Sequence, residues 1–116
     1  MDVDKRYYTR YKTSLKGRVA TEKGFSFSVE VLDVSTEGAR LRTDSKISLV
    51  EDESVNIVIK WKVSIKAKAE VRWIKNDKFF TEFGIRFTEM DMTNREALSS
   101  LVSEYALSSL SDLYTR

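Results

Sequence analysis

The chain has 116 residues, a formal net charge of +2 and 33% charged residues, with no cysteine, histidine or proline. A single domain of this size buries about two-thirds of its unfolded surface, enough for a core without metal or disulfide staples. The missing residue types exclude disulfides, thiolate or imidazole metal sites and Cys or Ser-His nucleophile chemistry, and they point to a reducing cytoplasm.

The first segment is an arm. Lys5, Arg6, Arg10, Lys12, Lys16 and Arg18 fall within residues 5–18 with no acid among them, and residues 1–14 are polar and tyrosine-rich with no steady period. So concentrated a positive charge on a near-neutral chain suits an anion, although a solvated basic tail is the plainer reading. The opening "MDVDKRYYTR" holds no apolar h-region, and no run of 18 apolar residues follows, so neither a secretory signal nor a membrane span is expected.

From Leu15 to Phe87 the pattern is strand after strand. Leu15, Gly17 and Val19 alternate with Lys16 and Arg18, and Glu22-Lys23-Gly24 makes a turn. Phe25, Phe27, Val29 and Val31 then alternate with Ser26, Ser28 and Glu30, the mark of a half-buried strand. "DVSTEG" (33–38) reads as the next turn, and Ala39 and Leu41 alternate with Arg40 and Arg42. Glu51-Asp52-Glu53 marks a surface connection. Every odd position from Val55 to Trp73 is apolar, too long a run for one strand of about 5–6 residues, so it divides into two near residues 60–63. Asn76-Asp77-Lys78 is a turn, and "FFTEFGIRF" (79–87) gives a sixth strand.

The end of the chain has helical spacing. Thr93 and Glu96 form a T-x-x-E capping box, followed by Leu98, Leu101, Val102 and Tyr105, which predicts a helix over about 94–113. Leu107, Leu110 and Tyr114 widen its apolar face beyond one stripe and suggest a homodimer or partner contact. The predicted fold is mainly β, a six-stranded antiparallel β-barrel whose closure removes exposed edges. A basic arm at 1–14 precedes the barrel at 15–90, and a C-terminal α-helix at 91–116 packs on it.

Three constellations could carry chemistry. Arg6-x-x-x-Arg10 sets two guanidinium forks within reach of one compact multi-anion, and such forks match phosphate and the O6/N7 edge of guanine. In 33–38, Asp33 follows the inward odd positions, where apolar character would be expected to continue. A carboxylate there can accept from guanine's N1–H and N2–H2, a donor pair adenine lacks. The plainer reading is a turn in which Asp33 and Ser35 bond local backbone and Gly38 supplies a positive φ or a bulge. The third constellation is the row Lys60, Lys62, Lys66, Lys68 and Arg72, which with Trp61 could suggest single-stranded nucleic acid on a barrel. Parity turns Trp61 and Trp73 away from that row, so a solvated lysine face is the better reading, and nucleic acid is not the expected partner.

The first two motifs together resemble the PilZ domain family of bacterial receptors for cyclic di-GMP. Arg6 and Arg10 match its R-x-x-x-R arm; Asp33, Ser35 and Gly38 match its [D/N]-x-S-x-x-G turn, after 22 intervening residues. "AEVRWIKND" (69–77) and "FGIRF" (83–87) look like its closing strands. The resemblance implies a split-barrel fold, cyclic di-GMP as ligand with no cofactor, and no enzymatic activity. Arg6 and Arg10 would clamp guanine edges and phosphates, Asp33 would read guanine's donor edge, Ser35 would add a hydrogen bond, and Gly38 would allow close approach. Many members carry an arginine where this chain has Lys5, a position associated with how many ligand molecules bind. The implied output is a change of conformation passed to a protein effector. The alternatives are a basic barrel binding single-stranded nucleic acid and a protein-only adaptor, which the intact five-residue match argues against.

Overall fold

The computed structural model describes residues 10–114, with side chains in the last helix described up to Ser108. Strands β1 (Tyr11–Thr21), β2 (Ser26–Val34), β3 (Gly38–Thr43), β4 (Ser54–Lys60), β5 (Ser64–Asn76) and β6 (Thr81–Glu89) are followed by helix α1 (Met92–Tyr114). The strand order β1-β2-β3-β6-β5-β4 closes on itself, all ladders are antiparallel, and the expected six-stranded barrel with a C-terminal helix is observed. Closure comes from Lys16–Thr21 of β1 pairing with Val55–Lys60 of β4, which removes the two edges of an open sheet.

Alternation explains the core. Phe27, Val29 and Val31 of β2, Val55, Ile57 and Ile59 of β4, and Ile65, Ala67, Ala69 and Val71 of β5 all point inward and are buried. The long apolar run does break where its length requires: Trp61 N–H bonds Val63 O at 3.1 Å, and Lys60 pairs with Ser64 across the hairpin. Phe27 and Phe83 meet edge to face in the interior, with ring centroids 6.2 Å apart. Leu98 and Leu101 of α1 join the same core as the helix lies against β5 and β1.

Several boundaries differ from the sequence reading. Strand β1 begins at Tyr11, four residues before the alternation at Leu15, because β2 extends to Val34 and offers Tyr11 and Lys12 partners in Val34 and Asp33. Phe25 and Phe79, read as strand residues, sit instead in hairpin turns and are 68% and 76% exposed. Val63 likewise leaves the inward row and is exposed in the β4–β5 turn.

The helix starts two residues earlier than its Thr93 box suggests. Asp91 is the cap: its Oδ1 accepts from Asn94 N–H at 2.9 Å and from Asn94 Nδ2 at 2.8 Å. Asn94 Oδ1 in turn accepts from Lys66 N–H at 2.8 Å, which ties the first helical turn to β5. Leu107 is 64% exposed, whereas the side chains of Leu110 and Tyr114, which the homodimer expectation also used, lie outside the described residues. No helix among the described residues is long and apolar enough to cross a membrane.

The Asp91 cap gives a signed pH dependence. Its hydrogen bonds from the Asn94 backbone and side chain hold the carboxyl below its ordinary value of 3.8. A carboxyl lowered in the folded state contributes stability above its unfolded pKa and loses it as pH falls through the folded value. Amide exchange in the first turn of α1 is therefore expected to accelerate as the medium is acidified below 3.8. Asp91→Asn, whose cap does not titrate, should remove that acid-dependent component.

Candidate functional site

The β2–β3 corner is built around one irregularity. Val31 pairs with Leu41, but the next β2 residue to find a β3 partner is Asp33, opposite Arg40. Leu32 is thus an extra residue, a β-bulge, and it reverses which face later side chains take. Val34 assumes the inward position and is 0% exposed. Asp33, which odd-number parity would bury with Val29 and Val31, instead lies on the outer face with 13% of its side chain exposed. It is a strand residue rather than part of the turn.

Ser35 and Gly38 make the turn itself. Ser35 N–H bonds Gly38 O at 2.9 Å, and Ser35 Oγ accepts from Glu37 N–H at 3.0 Å and from Gly38 N–H at 3.2 Å. The hydroxyl also faces Gly38 O at 3.4 Å and is buried, so its capacity is used within the turn. Of the two roles expected for Gly38, a positive φ or a bulge, the positive φ is absent; among the described residues Gly24 is the glycine that has one. Its requirement is space: a Cβ on Gly38 would stand 2.1 Å from Ile85 O. Gly38 lets β3 lie directly against β6, where it pairs with Arg86, and Phe87 N–H extends that contact to Glu37 O.

Around Asp33 the charges converge. Arg40 Nε donates to Asp33 Oδ2 at 2.9 Å, and Arg40 Nη1 lies 3.5 Å from Glu82 Oε1. Arg10 Nη1 stands 3.6 Å from Asp33 Oδ1, an oxygen that is buried and has no hydrogen-bond partner among the described residues. Lys12 pairs with Asp33 across β1–β2. The structure therefore brings together Arg10, Asp33, Ser35 and Gly38 of the six candidate residues, while Lys5 and Arg6 lie outside the described residues. At the base of the arm, Arg10 and Arg40 flank the Asp33 carboxylate.

A second bulge corrects the reading of Trp73. Val71 pairs with Ile85 and Trp73 with Gly84, so Arg72 is the extra residue and parity reverses again. Ile74 takes the inward place, and Trp73 lies on the outer face over Gly84, where a Cβ would meet the indole Nε1 at 2.1 Å. The registers Lys12–Asp33, Asp33–Arg40, Arg40–Gly84 and Gly84–Trp73 form one transverse row across five strands. Arg40, Glu82 and Gly84 were not legible as site residues, because only strand register sets them beside Asp33.

Two other regions are set apart from this corner. The lysine row is largely paired: Lys62 with Glu104 at 2.6 Å, Lys68 with Glu89 at 3.7 Å, and Arg72 with Glu70 at 2.9 Å. That leaves little of the continuous positive track that a nucleic-acid backbone needs. A concavity of about 870 Å3 opens at the opposite end of the barrel beside Phe25, Ile47, Phe79 and Phe80, and none of the candidate residues lines it.

The family model for the PilZ domain matches residues 4–104, and the chain belongs to the PilZ domain family. No curated protein sequence matches the chain. Among solved structures it is similar to Bacillus subtilis MotI/DgrA, an inhibitor of motility, with a TM-score of 0.77 and 20% identity over 89% of this chain and 52% of that one. It is similar to the MrkH–c-di-GMP complex of K. pneumonia, with a TM-score of 0.74 and 13% identity over 90% of this chain and 52% of that one. The chain thus spans about half the length of both. The c-di-GMP-bound PilZ domain of Escherichia coli YcgR matches almost end to end, with a TM-score of 0.73 and 13% identity over 96% of this chain and 98% of that one.

The two glycines should behave differently on enlargement. Gly38→Ala drives a methyl into backbone and is expected to destabilise the barrel by about 1–3 kcal/mol in urea unfolding. Gly84→Ala meets a side chain instead and should displace the indole of Trp73. In a Trp61→Phe background, a red-shifted Trp73 emission with little loss of stability would report that displacement.

Proposed function

We propose that this chain is a non-catalytic cytoplasmic receptor for cyclic di-GMP, acting through a protein effector whose binding changes when the ligand binds. The observation that carries this reading is the outward Asp33 carboxylate, with one oxygen lacking a hydrogen bond among the described residues, beside Arg10 at the root of the R-x-x-x-R arm. Guanine supplies the donor pair such a carboxylate accepts, and the phosphodiesters supply the anions the arm attracts. Arg6 and Arg10 clamp phosphates and guanine edges, and Asp33 reads the N1–H and N2–H2 edge. Ser35 and Gly38 act by holding the turn that presents it. Belonging to the PilZ domain family supports the reading, as do the c-di-GMP complexes of MrkH and YcgR among its structural neighbours.

Calorimetric titration tests it. Cyclic di-GMP should bind and cyclic di-AMP should not, because adenine would set an acceptor against Asp33. Arg6→Ala, Arg10→Ala and Asp33→Ala should each weaken binding by about tenfold or more, as expected for loss of a charge-assisted hydrogen bond, with the barrel still folded. Equal affinity for the two dinucleotides would refute the assignment of Asp33.

Lys5 bears on stoichiometry. A stacked pair of ligand molecules concentrates more phosphate than one, so an added cation offsets repulsion that a single ligand does not create. Lysine keeps the charge but lacks the planar fork that stacks on a base. A second ligand is therefore expected to bind more weakly and with more salt sensitivity than the first. Lys5→Leu should reduce the ratio to one per chain, and Lys5→Arg should tighten the second step. A ratio of one at low salt that Lys5→Arg leaves unchanged would remove Lys5 from this role.

A further inference from the structure

We propose that Arg40 is the positioning residue of the guanine-reading carboxylate, holding Asp33 by one oxygen so that the other is presented to the ligand in a fixed plane. The inference rests on the reading of Asp33 given above. Arg40 is the direct cross-strand partner of Asp33, placed there by the Leu32 bulge. Its Nε donates to Oδ2 at 2.9 Å, while Oδ1 is buried and has no hydrogen-bond partner among the described residues. Glu82, on the neighbouring strand β6, lies 3.5 Å from Nη1 of the same guanidinium. The planar fork is thus held between two carboxylates on two strands, and its own rotation is restricted.

The consequence for recognition is geometric. A carboxylate on a two-bond stem can turn about its terminal torsion, and a base that needs both oxygens coplanar must stop that motion on binding. Arg40 stops it beforehand. It does so without blocking the site, because an ionised carboxylate oxygen accepts more than one hydrogen bond. Oδ2 can keep Arg40 and still take a donor from the ligand, while Oδ1 takes the other. Arg40 also leaves a cation beside Asp33 when a base covers it and water is excluded. In this chain Asp33 has 13% side-chain exposure and Arg40 35%, so the pair sits beneath the ligand face rather than out in solvent.

A double-mutant cycle read with two ligands tests this. The probes are cyclic di-GMP and cyclic di-IMP, whose hypoxanthine keeps N1–H but lacks the N2 amine. Arg40→Ala is expected to weaken cyclic di-GMP by about tenfold and cyclic di-IMP by much less, so the preference for guanine narrows. In an Asp33→Ala background the same substitution should change either affinity by less than about twofold, since Arg40 then has nothing to position. Arg40→Lys should recover only part of the preference. Glu82→Gln, which leaves Arg40 and Asp33 in place, should give a smaller loss in the same direction and serves if Arg40→Ala does not fold. Equal losses from Arg40→Ala with and without Asp33 would overturn positioning in favour of direct ligand contact. An unchanged guanine preference in Arg40→Ala and Glu82→Gln would overturn it outright. Failure of the native chain to bind cyclic di-GMP would sink the receptor reading itself, whereas native binding with additive losses sinks only the role of Arg40.

Discussion

One extra residue, Leu32, decides what the β2–β3 corner can present. Strand pleat has a period of two, so inserting a residue moves every later side chain to the other face. Val34 consequently seals the interior, and Asp33 emerges outside opposite Arg40. Without the bulge a carboxylate would enter an apolar core, where an unpaired charge is among the costliest things to bury. The barrel's stability and the character of its outer face thus depend on the same local departure from regular pairing.

The turn beyond the bulge is held by a different economy. Ser35 spends its hydroxyl on the turn backbone, and Gly38 has no side chain because the β6 carbonyl of Ile85 occupies that space. Both residues therefore act on the site by shape. Arg10 and Asp33 supply the charge, and Arg40 with Glu82 carries the ion-pair network across to β6. The Arg72 bulge in β5 has the parallel effect of turning Trp73 out over Gly84, at the far end of the same transverse row.

The helix contributes to the core through its first half. Leu98 and Leu101 are buried with the strand residues, and Asn94 links the helical N-terminus to the β5 backbone. Asp91 rather than Thr93 caps it, which follows from chain path: β6 ends at Glu89, and Asp91 Oδ1 is in reach of the Asn94 amide. The T-x-x-E pattern is real in the sequence, but a cap forms where the chain leaves its extended conformation, and that point was fixed by the strand before it.

By itself the sequence determined the class of fold and the chemical identity of the candidate ligand groups. Alternation over Phe27–Val31 and Val55–Val71 and helical spacing from Leu98 specify strands and helix, because burial of one face demands those periods. Arg6, Arg10, Asp33, Ser35 and Gly38 could be named because their order and spacing resemble the PilZ motifs. Which face each occupies could not, since a bulge leaves the alternation of residue types around it nearly intact and shows only in the register between strands. For that reason alternation turns Trp73 away from the lysine face and leaves Asp33 in a turn, whereas the strand registers set both on the outer face. Arg40, Glu82 and Gly84, separated from Asp33 by 7 to 51 positions in the chain, were brought beside it or into its row only by pairing of β2, β3 and β6. Residue type follows from local chemistry, but neighbourhood in a closed sheet is set by non-local hydrogen bonding, and only the tertiary structure decides it.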